Sequence, residues 1–334
     1  MIPAYLHMDP FLSSSDADGM LRIAEAFGSF GTYANEATSE GLGEDLPQRF
    51  DVGLNYFDSG IDGLGNDDAP AIAASRTNYF RETYAYGNVI EAPGIQAFME
   101  HSALRATARQ ISNRDNIVPA IVYANLLIPG QELAIHTDVP EFRGANRKLT
   151  PQWLLVCMLH SGLFEQWRVP ILTCVSWFGH SRGGAFTFYL EGPGSPRHAI
   201  PATHNSAILI DTDMVFHGVE RVSQLLPDLP VISQHTRLFF CEGRRWELRE
   251  GEQVLGEYLW EDLRYSISWK AYCFEDEAEQ LTWSEGSDEL SLDKILAMLE
   301  ADLRERDVLS GPRPEPTEFA LMMVENFIKF PSLS

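Results

Sequence analysis

Four cysteines in 334 residues leave little room for a disulfide framework, and Cys157, Cys174, Cys241 and Cys273 form no Cys-x-x-Cys pair. Three of them, Cys157, Cys174 and Cys241, lie in apolar runs, where a free thiol behaves as a small core residue. A reducing compartment fits that usage. Positive charge is also scarce: 25 Lys and Arg stand against 48 Asp and Glu, for a formal net charge of -23. Such a balance repels phosphate backbones, so nucleic acid is not an expected partner. No stretch approaches the roughly 18 apolar residues of a membrane span, and the start, Met1 to Pro10, lacks a basic segment followed by a long apolar one. The expectation is a soluble, cytoplasmic protein. With 45% hydrophobic residues it has ample material for a core.

The chain begins with a helical pattern over 13–28, where Ser13 to Ser15 offer caps and Leu21, Ile23, Ala24 and Phe27 form a stripe ending at Gly28. From 31 to 76, glycine and aspartate are frequent and periodicity is lost, which reads as a long loop of the kind that forms lids. A second helix is expected over 95–111. Strand-like runs follow at 118–128, 153–159, 171–178, 185–190, 207–211 and 236–241, separated by Pro129-Gly130, Gly192-Pro193-Gly194 and Pro227 to Pro230. Many short strands between turn signals suggest an antiparallel jelly roll. Beyond Gly243 acidic side chains outnumber basic ones. Leu292, Ile295, Leu296, Leu299 and Leu303 make a helical stripe behind Ser291, and a last helix is expected from Thr317 to before Pro331.

Chemistry concentrates in Ile135-His136-Thr137-Asp138 and, far downstream, in Phe216-His217-Gly218-Val219. Side chains two apart on an extended strand point to the same side, so His136 and Asp138 can close on one ion, and His217 completes a set of two imidazoles and a carboxylate. That face, with open positions opposite, suits non-haem iron. A zinc hydrolase is less well served, since no His-Glu-x-x-His helix is present. His7-Met8-Asp9 repeats the spacing without comparable surroundings.

Those surroundings carry a resemblance. Tyr123 to Asp138, through the Pro129-Gly130 turn, resembles the entry to the metal site of the Fe(II)/2-oxoglutarate-dependent dioxygenase superfamily. Gly183-Gly184-Ala185-Phe186-Thr187-Phe188 is similar to its Gly-Gly-x-x-x-Phe strand. Ser206 to Asp211 followed by Phe216 to Val222 resembles the strand bearing the distal ligand. Thr236-Arg237-Leu238-Phe239-Phe240 is similar to the last core strand, with its basic residue. The resemblance spans roughly residues 117–242. It implies a mainly β protein with helical decorations: a double-stranded β-helix core over 117–242, N-terminal helices and a lid-like loop over 1–116, and an acidic, largely helical extension over 243–334, all in one domain, 1–334.

The same resemblance implies Fe(II) held by His136, Asp138 and His217, with 2-oxoglutarate and O2 as co-substrates. Hydroxylation of an unactivated C–H bond in a small-molecule substrate would release succinate and CO2. Desaturation, ring closure and epimerisation belong to the same iron chemistry, whereas the retained Asp138 argues against the halogenating branch. Arg237 is the expected anchor for the far carboxylate of 2-oxoglutarate, and Arg221, only four residues after His217, is its rival. Tyr123 and Asn125 alternate on one strand and read either as co-substrate contacts or as ordinary packing. Arg143 and Arg147 follow the metal pair and read either as receptors for a substrate carboxylate or as exposed loop residues. Three further readings remain open: a same-fold metal enzyme without 2-oxoglutarate, a protein-side-chain hydroxylase, and a non-catalytic β-barrel binding module.

Overall fold

A computed structural model describes residues 4–33, 48–59, 70–223 and 229–331. In chain order the first elements are β1 (Tyr5–Met8), α1 (Ser14–Phe27), β2 (Ser29–Thr32), α2 (Phe50–Ser59), α3 (Pro70–Thr77), β3 (Phe80–Tyr86), β4 (Val89–Ile90), α4 (Gln96–Met99) and α5 (Ser102–Ser112). Next come β5 (Asn116–Leu127), β6 (Leu133–His136), β7 (Glu141–Phe142), α6 (Gln152–Ser161), β8 (Arg168–Val169), β9 (Ile171–Phe178), β10 (Phe186–Tyr189), β11 (His198–Ile200), β12 (Ser206–Ile210) and β13 (Phe216–Val219). The chain then forms β14 (Thr236–Cys241), β15 (Arg245–Glu250), β16 (Gln253–Tyr258), β17 (Arg264–Phe274), α7 (Glu277–Glu285), α8 (Leu292–Glu305) and α9 (Pro316–Phe327).

Apart from the short β7–β8 pair, the strands form two antiparallel sheets. The large sheet runs β1-β12-β9-β17-β5-β3-β2-β14-β15-β16, with β4 beside β3, and the small one runs β11-β10-β13-β6. Along the chain, β5 lies in the large sheet, β6 in the small, β9 in the large, β10 and β11 in the small, β12 in the large, β13 in the small and β17 in the large. That crossing pattern is the eight-stranded double-stranded β-helix. The protein is mainly β with helical decorations.

Period-two alternation divides the large sheet into a dry face and a cavity face. Val122, Ala124 and Leu126 of β5, with Ile267, Trp269 and Ala271 of β17, join Ala17 and Met20 of α1, Phe98 of α4 and Leu104 of α5 in one buried cluster. Each large apolar side chain buried there contributes about 1.5–3 kcal/mol. Trp269 adds a bond from Nε1 to the Met99 carbonyl at 2.9 Å. The intervening residues of β5 and β17 face the other way, into the cavity described below. A second cluster packs α6, α8 and α9 together around Trp153, Leu299 and Phe319. Among the described residues no helix is long and apolar enough to cross a membrane.

Local signals explain several elements. Ser13 accepts from the Asp16 amide and Gly28 closes α1 in the left-handed region, while Ser291 accepts from the Lys294 amide to start α8. Elsewhere the structure departs from expectation. The run 153–159 is helix α6, whose residues from Gln152 to Leu159 are all buried. A short run that is apolar on every side has no period to separate strand from helix, and the left-handed cap at Gly162 is what closes it as a helix. The segment 31–76 contains α2 and α3 rather than loop alone; the rest of that expected lid, 34–47 and 60–69, lies outside the described residues. The helix expected over 95–111 is two helices, broken at Glu100 and His101.

The largest departure is at the end of the core. It extends past 242, because β17 sits centrally between β9 and β5, and residues 245–274 form strands before the helical part begins. The β14–β16 meander is added at the far edge beyond β2, so Thr236–Cys241 is not the last core strand.

Candidate metal centre and its cavity

His136 ends β6 and His217 lies on β13, and the two are direct partners across that ladder. Their ring centroids are 4.4 Å apart. Asp138 follows β6 immediately; its amide donates to the Thr212 carbonyl at 2.9 Å, which turns the carboxylate toward the imidazoles. Asp138 Oδ1 lies 3.6 Å from His136 Nε2 and 3.8 Å from His217 Nε2. One ligand atom from each of the three residues falls within 4.8 Å of the others.

Hydrogen bonds behind the ligands set their chemistry. His136 Nδ1 lies 2.8 Å from the Ala134 carbonyl and His217 Nδ1 lies 2.9 Å from the Val215 carbonyl. A carbonyl can only accept, so each Nδ1 carries the proton and each Nε2 presents a lone pair to the centre. Burial, and then the neighbouring His136, depress His217 to about 3, which keeps it a neutral ligand. Burial works against ionisation of Asp138, but Lys270 and the two imidazoles outweigh it and hold the carboxyl well below the usual range. Lys270 Nζ donates to Asp138 Oδ2 at 2.7 Å, leaving Oδ1 for an ion. Behind it, burial raises Asp213 to about 8, with Lys270 opposing. The donor set of two neutral imidazole nitrogens and one carboxylate oxygen fits a divalent transition metal with positions left open.

Helix α2 braces the ligand strand. Asn55 donates to the Ile135 carbonyl at 3.2 Å, and Arg49, doubly bonded to buried Asp51, donates to the Thr137 carbonyl at 3.0 Å.

The triad opens into a cavity of about 510 Å³, within the usual range for small-molecule sites, roughly 300–1,000 Å³. Tyr123, Asn125 and Leu127 alternate into it from β5, and Arg264, Ser266, Ser268 and Lys270 from β17. Leu133, Val139, Val175, Phe186 and Val219 supply apolar wall.

Arg264 is only 2% exposed. Its Nε donates to the Gly184 carbonyl at 2.6 Å and its Nη1 to Ser266 Oγ at 3.3 Å, while Nη2 is buried without a partner. Burial lowers it to about 9, which still leaves it charged at neutral pH. Gly184 makes the approach possible: a Cβ there would stand 2.5 Å from Arg264 Cδ, at a φ of +69°.

The structure brings His136, Asp138, His217, Tyr123, Asn125 and Arg147 to one cavity. It does not bring Arg237 there. Arg237 lies on β14 over Gly31, ion-paired to Glu82 at 2.9 Å with its side chain 43% exposed. Arg221 is doubly bonded to buried Glu132, and Arg143 is held by the Gln166 carbonyl and Asp288; neither lines the cavity. The residue that sequence reasoning missed, Arg264, had a signal: Arg264, Ser266, Ser268 and Lys270 alternate with Tyr265, Ile267, Trp269 and Ala271, a strand with one polar and one apolar face.

No protein-family model matches the chain, and no curated protein matches its sequence. Solved structures similar to it include an oxidoreductase of the 2OG-Fe(II) oxygenase family from Burkholderia pseudomallei, at 7% identity and a TM-score of 0.42, covering 80% of this chain and 85% of that one. Another is the non-heme alpha ketoglutarate dependent carbocyclase SnoK from nogalamycin biosynthesis, at 10% identity and a TM-score of 0.42, covering 81% and 80%. A third is HygX from Streptomyces hygroscopicus with nickel, 2-oxoglutarate and hygromycin B bound, at 10% identity and a TM-score of 0.38, covering 81% and 84%. On its own strands and side chains, this chain is a double-stranded β-helix with a two-histidine, one-carboxylate centre in its cavity.

Proposed function

We propose that this protein is an Fe(II)- and 2-oxoglutarate-dependent oxygenase that hydroxylates an unactivated C–H bond of a small molecule, releasing succinate and CO2. The observation that carries the reading is Arg264. A buried guanidinium with an unpartnered Nη2 is costly unless it meets an anion, and this one opens into the same cavity as a candidate iron site. His136, Asp138 and His217 would hold the metal. Iron with 2-oxoglutarate and O2 supplies the oxidising power when bound.

The residues of this chain do the rest. Arg264 takes the far carboxylate of 2-oxoglutarate through a charge-assisted pair, and Ser266 steadies the guanidinium from the same strand. Asn125, the register partner of Ser266, offers a buried Oδ1 that has no partner of its own. Lys270 pins Asp138 by one oxygen and so keeps the other free for the metal. The apolar wall excludes water from the reacting bond, and exposed Arg147 stands among the lining residues.

Anaerobic titration of 2-oxoglutarate into the Fe(II)-loaded protein tests the reading through the metal-to-ligand absorption band of the chelate. The parent gives a saturable band, His217→Ala gives none, and turnover with a substrate yields one succinate for each 2-oxoglutarate consumed. Iron binding without any 2-oxoglutarate binding would overturn the assignment.

A further inference from the structure

One guanidinium deep in the cavity has no described carboxylate partner. Arg81 projects from β3 and lines the same space as Arg264. Its Cζ lies 3.5 Å from the centroid of the Tyr123 ring and 4.5 Å from that of Tyr33, and Tyr33 stacks on Tyr79 at 5.3 Å. Among the described residues no carboxylate pairs with it. Of the other lining cations, Arg49 is engaged with Asp51 and Lys270 with Asp138, Arg264 is assigned to 2-oxoglutarate, and Arg147 is solvent-exposed. Burial works against charge on Arg81, but Tyr123, Tyr33 and Tyr79 outweigh it and keep the group protonated.

We infer that Arg81, seated on Tyr33 and Tyr123, is a second anion site of this cavity, and that the substrate is a carboxylic acid with an apolar body. The inference rests on the oxygenase reading for the word substrate, but the anion site does not depend on it.

Three observations direct it. Ring contacts occupy the flat of the guanidinium and leave its N–H edge, the part that grips a planar carboxylate in two parallel bonds. Arg81 also enters the cavity from a different strand than Arg264. In the sheet order β17-β5-β3, the two backbones stand two strand spacings apart, roughly 10 Å. Finally, Leu133, Val139, Val175, Val219 and Phe186 give the cavity a wall whose exposed surface is mainly apolar, interrupted by polar residues such as Asn78, Gln152, Thr173 and Thr212, and that balance suits a largely hydrocarbon body. The one N–H edge that Arg81 offers matches a monoanion; a phosphate dianion calls for more donors than Arg81 supplies.

Calorimetric titration with octanoate, octanol and octylamine tests the site, using the full chain both metal-free and loaded with Mn(II) and 2-oxoglutarate. Octanoate binds, octanol binds at least about tenfold more weakly, and octylamine does not bind. Arg81→Gln lowers octanoate affinity roughly tenfold to a hundredfold and leaves 2-oxoglutarate affinity within about twofold of the parent, while Arg81→Lys recovers part of the loss. Equal binding of octanol and octanoate to the parent overturns the site whether or not the variants fold. So does Arg81→Gln that keeps octanoate, or that loses 2-oxoglutarate instead. A parent that binds octanoate through Arg81 but never binds 2-oxoglutarate supports the anion site and sinks the oxygenase reading.

Discussion

Replacing Arg264 with leucine separates a binding group from a structural one. Burial lowers its guanidinium well below the ordinary arginine range, to about 9, and at about 1.4 kcal/mol per unit the uncompensated charge costs the ligand-free fold about 5 kcal/mol. A carboxylate on Nη2 relieves much of that cost. Losing one partner of such a pair is worth about 3–5 kcal/mol, a few hundredfold or more in affinity. Arg264→Leu should therefore abolish measurable 2-oxoglutarate binding in the anaerobic titration while iron still binds. Without co-substrate the variant gives up the bonds to Gly184 and Ser266, at about 1 kcal/mol each, but sheds a larger electrostatic burden. Its ligand-free melting temperature should be unchanged or a few degrees higher, and 2-oxoglutarate should raise the melting temperature of the parent only. A variant that melts far below the parent, or that binds 2-oxoglutarate normally, refutes the reasoning.

Arg237→Leu breaks a half-exposed pair with Glu82 and should change stability by less than about 1 kcal/mol, with 2-oxoglutarate affinity unaltered in the same titration. Arg221→Leu strands the buried Glu132 and should lower the melting temperature, again without selective loss of co-substrate. Lys270→Met frees Asp138 Oδ2 and should weaken Fe(II) binding by about ten- to a hundredfold, read by competition with a chelator. His160, stacked on Phe216 with Nε2 3.2 Å from Thr137 Oγ1, is depressed to about 4 by burial, with Asp51 opposing. Below pH ~6.5 the unfolded chain takes up a proton that the folded chain refuses until about 4. Stability should thus fall as pH drops through that window, by up to about 3 kcal/mol. Denaturant midpoints should show the fall, and His160→Leu should flatten it.

The jelly roll was legible because its strands are short, apolar and punctuated by Pro-Gly and Gly-Pro turns. The candidate ligand set was legible because His136 and Asp138 keep strand spacing beside a turn. Helix α6 was not, since a seven-residue run without a polar side carries no period. Arg237 stood out because its strand follows the distal histidine directly in sequence. The chain inserts β14–β16 there, and neither turn chemistry nor spacing says that an intervening strand will leave for the far edge of the sheet. Arg81 left no sequence signal at all: its partners are aromatic rings brought to it by β2 and β5, long-range contacts with no local pattern.

The late position of β17 has a consequence for how the molecule is made. It fills the gap between β9 and β5, with its eleven residues paired to β5 and eight of them also paired to β9, so a growing chain cannot complete its central sheet until residue 274 has been synthesised. Until then β5 and β9 present open, apolar edges, which are templates for pairing with other chains. Truncation anywhere before β17 should yield an aggregating fragment rather than a smaller protein, and a nascent chain should need shielding until β17 has emerged.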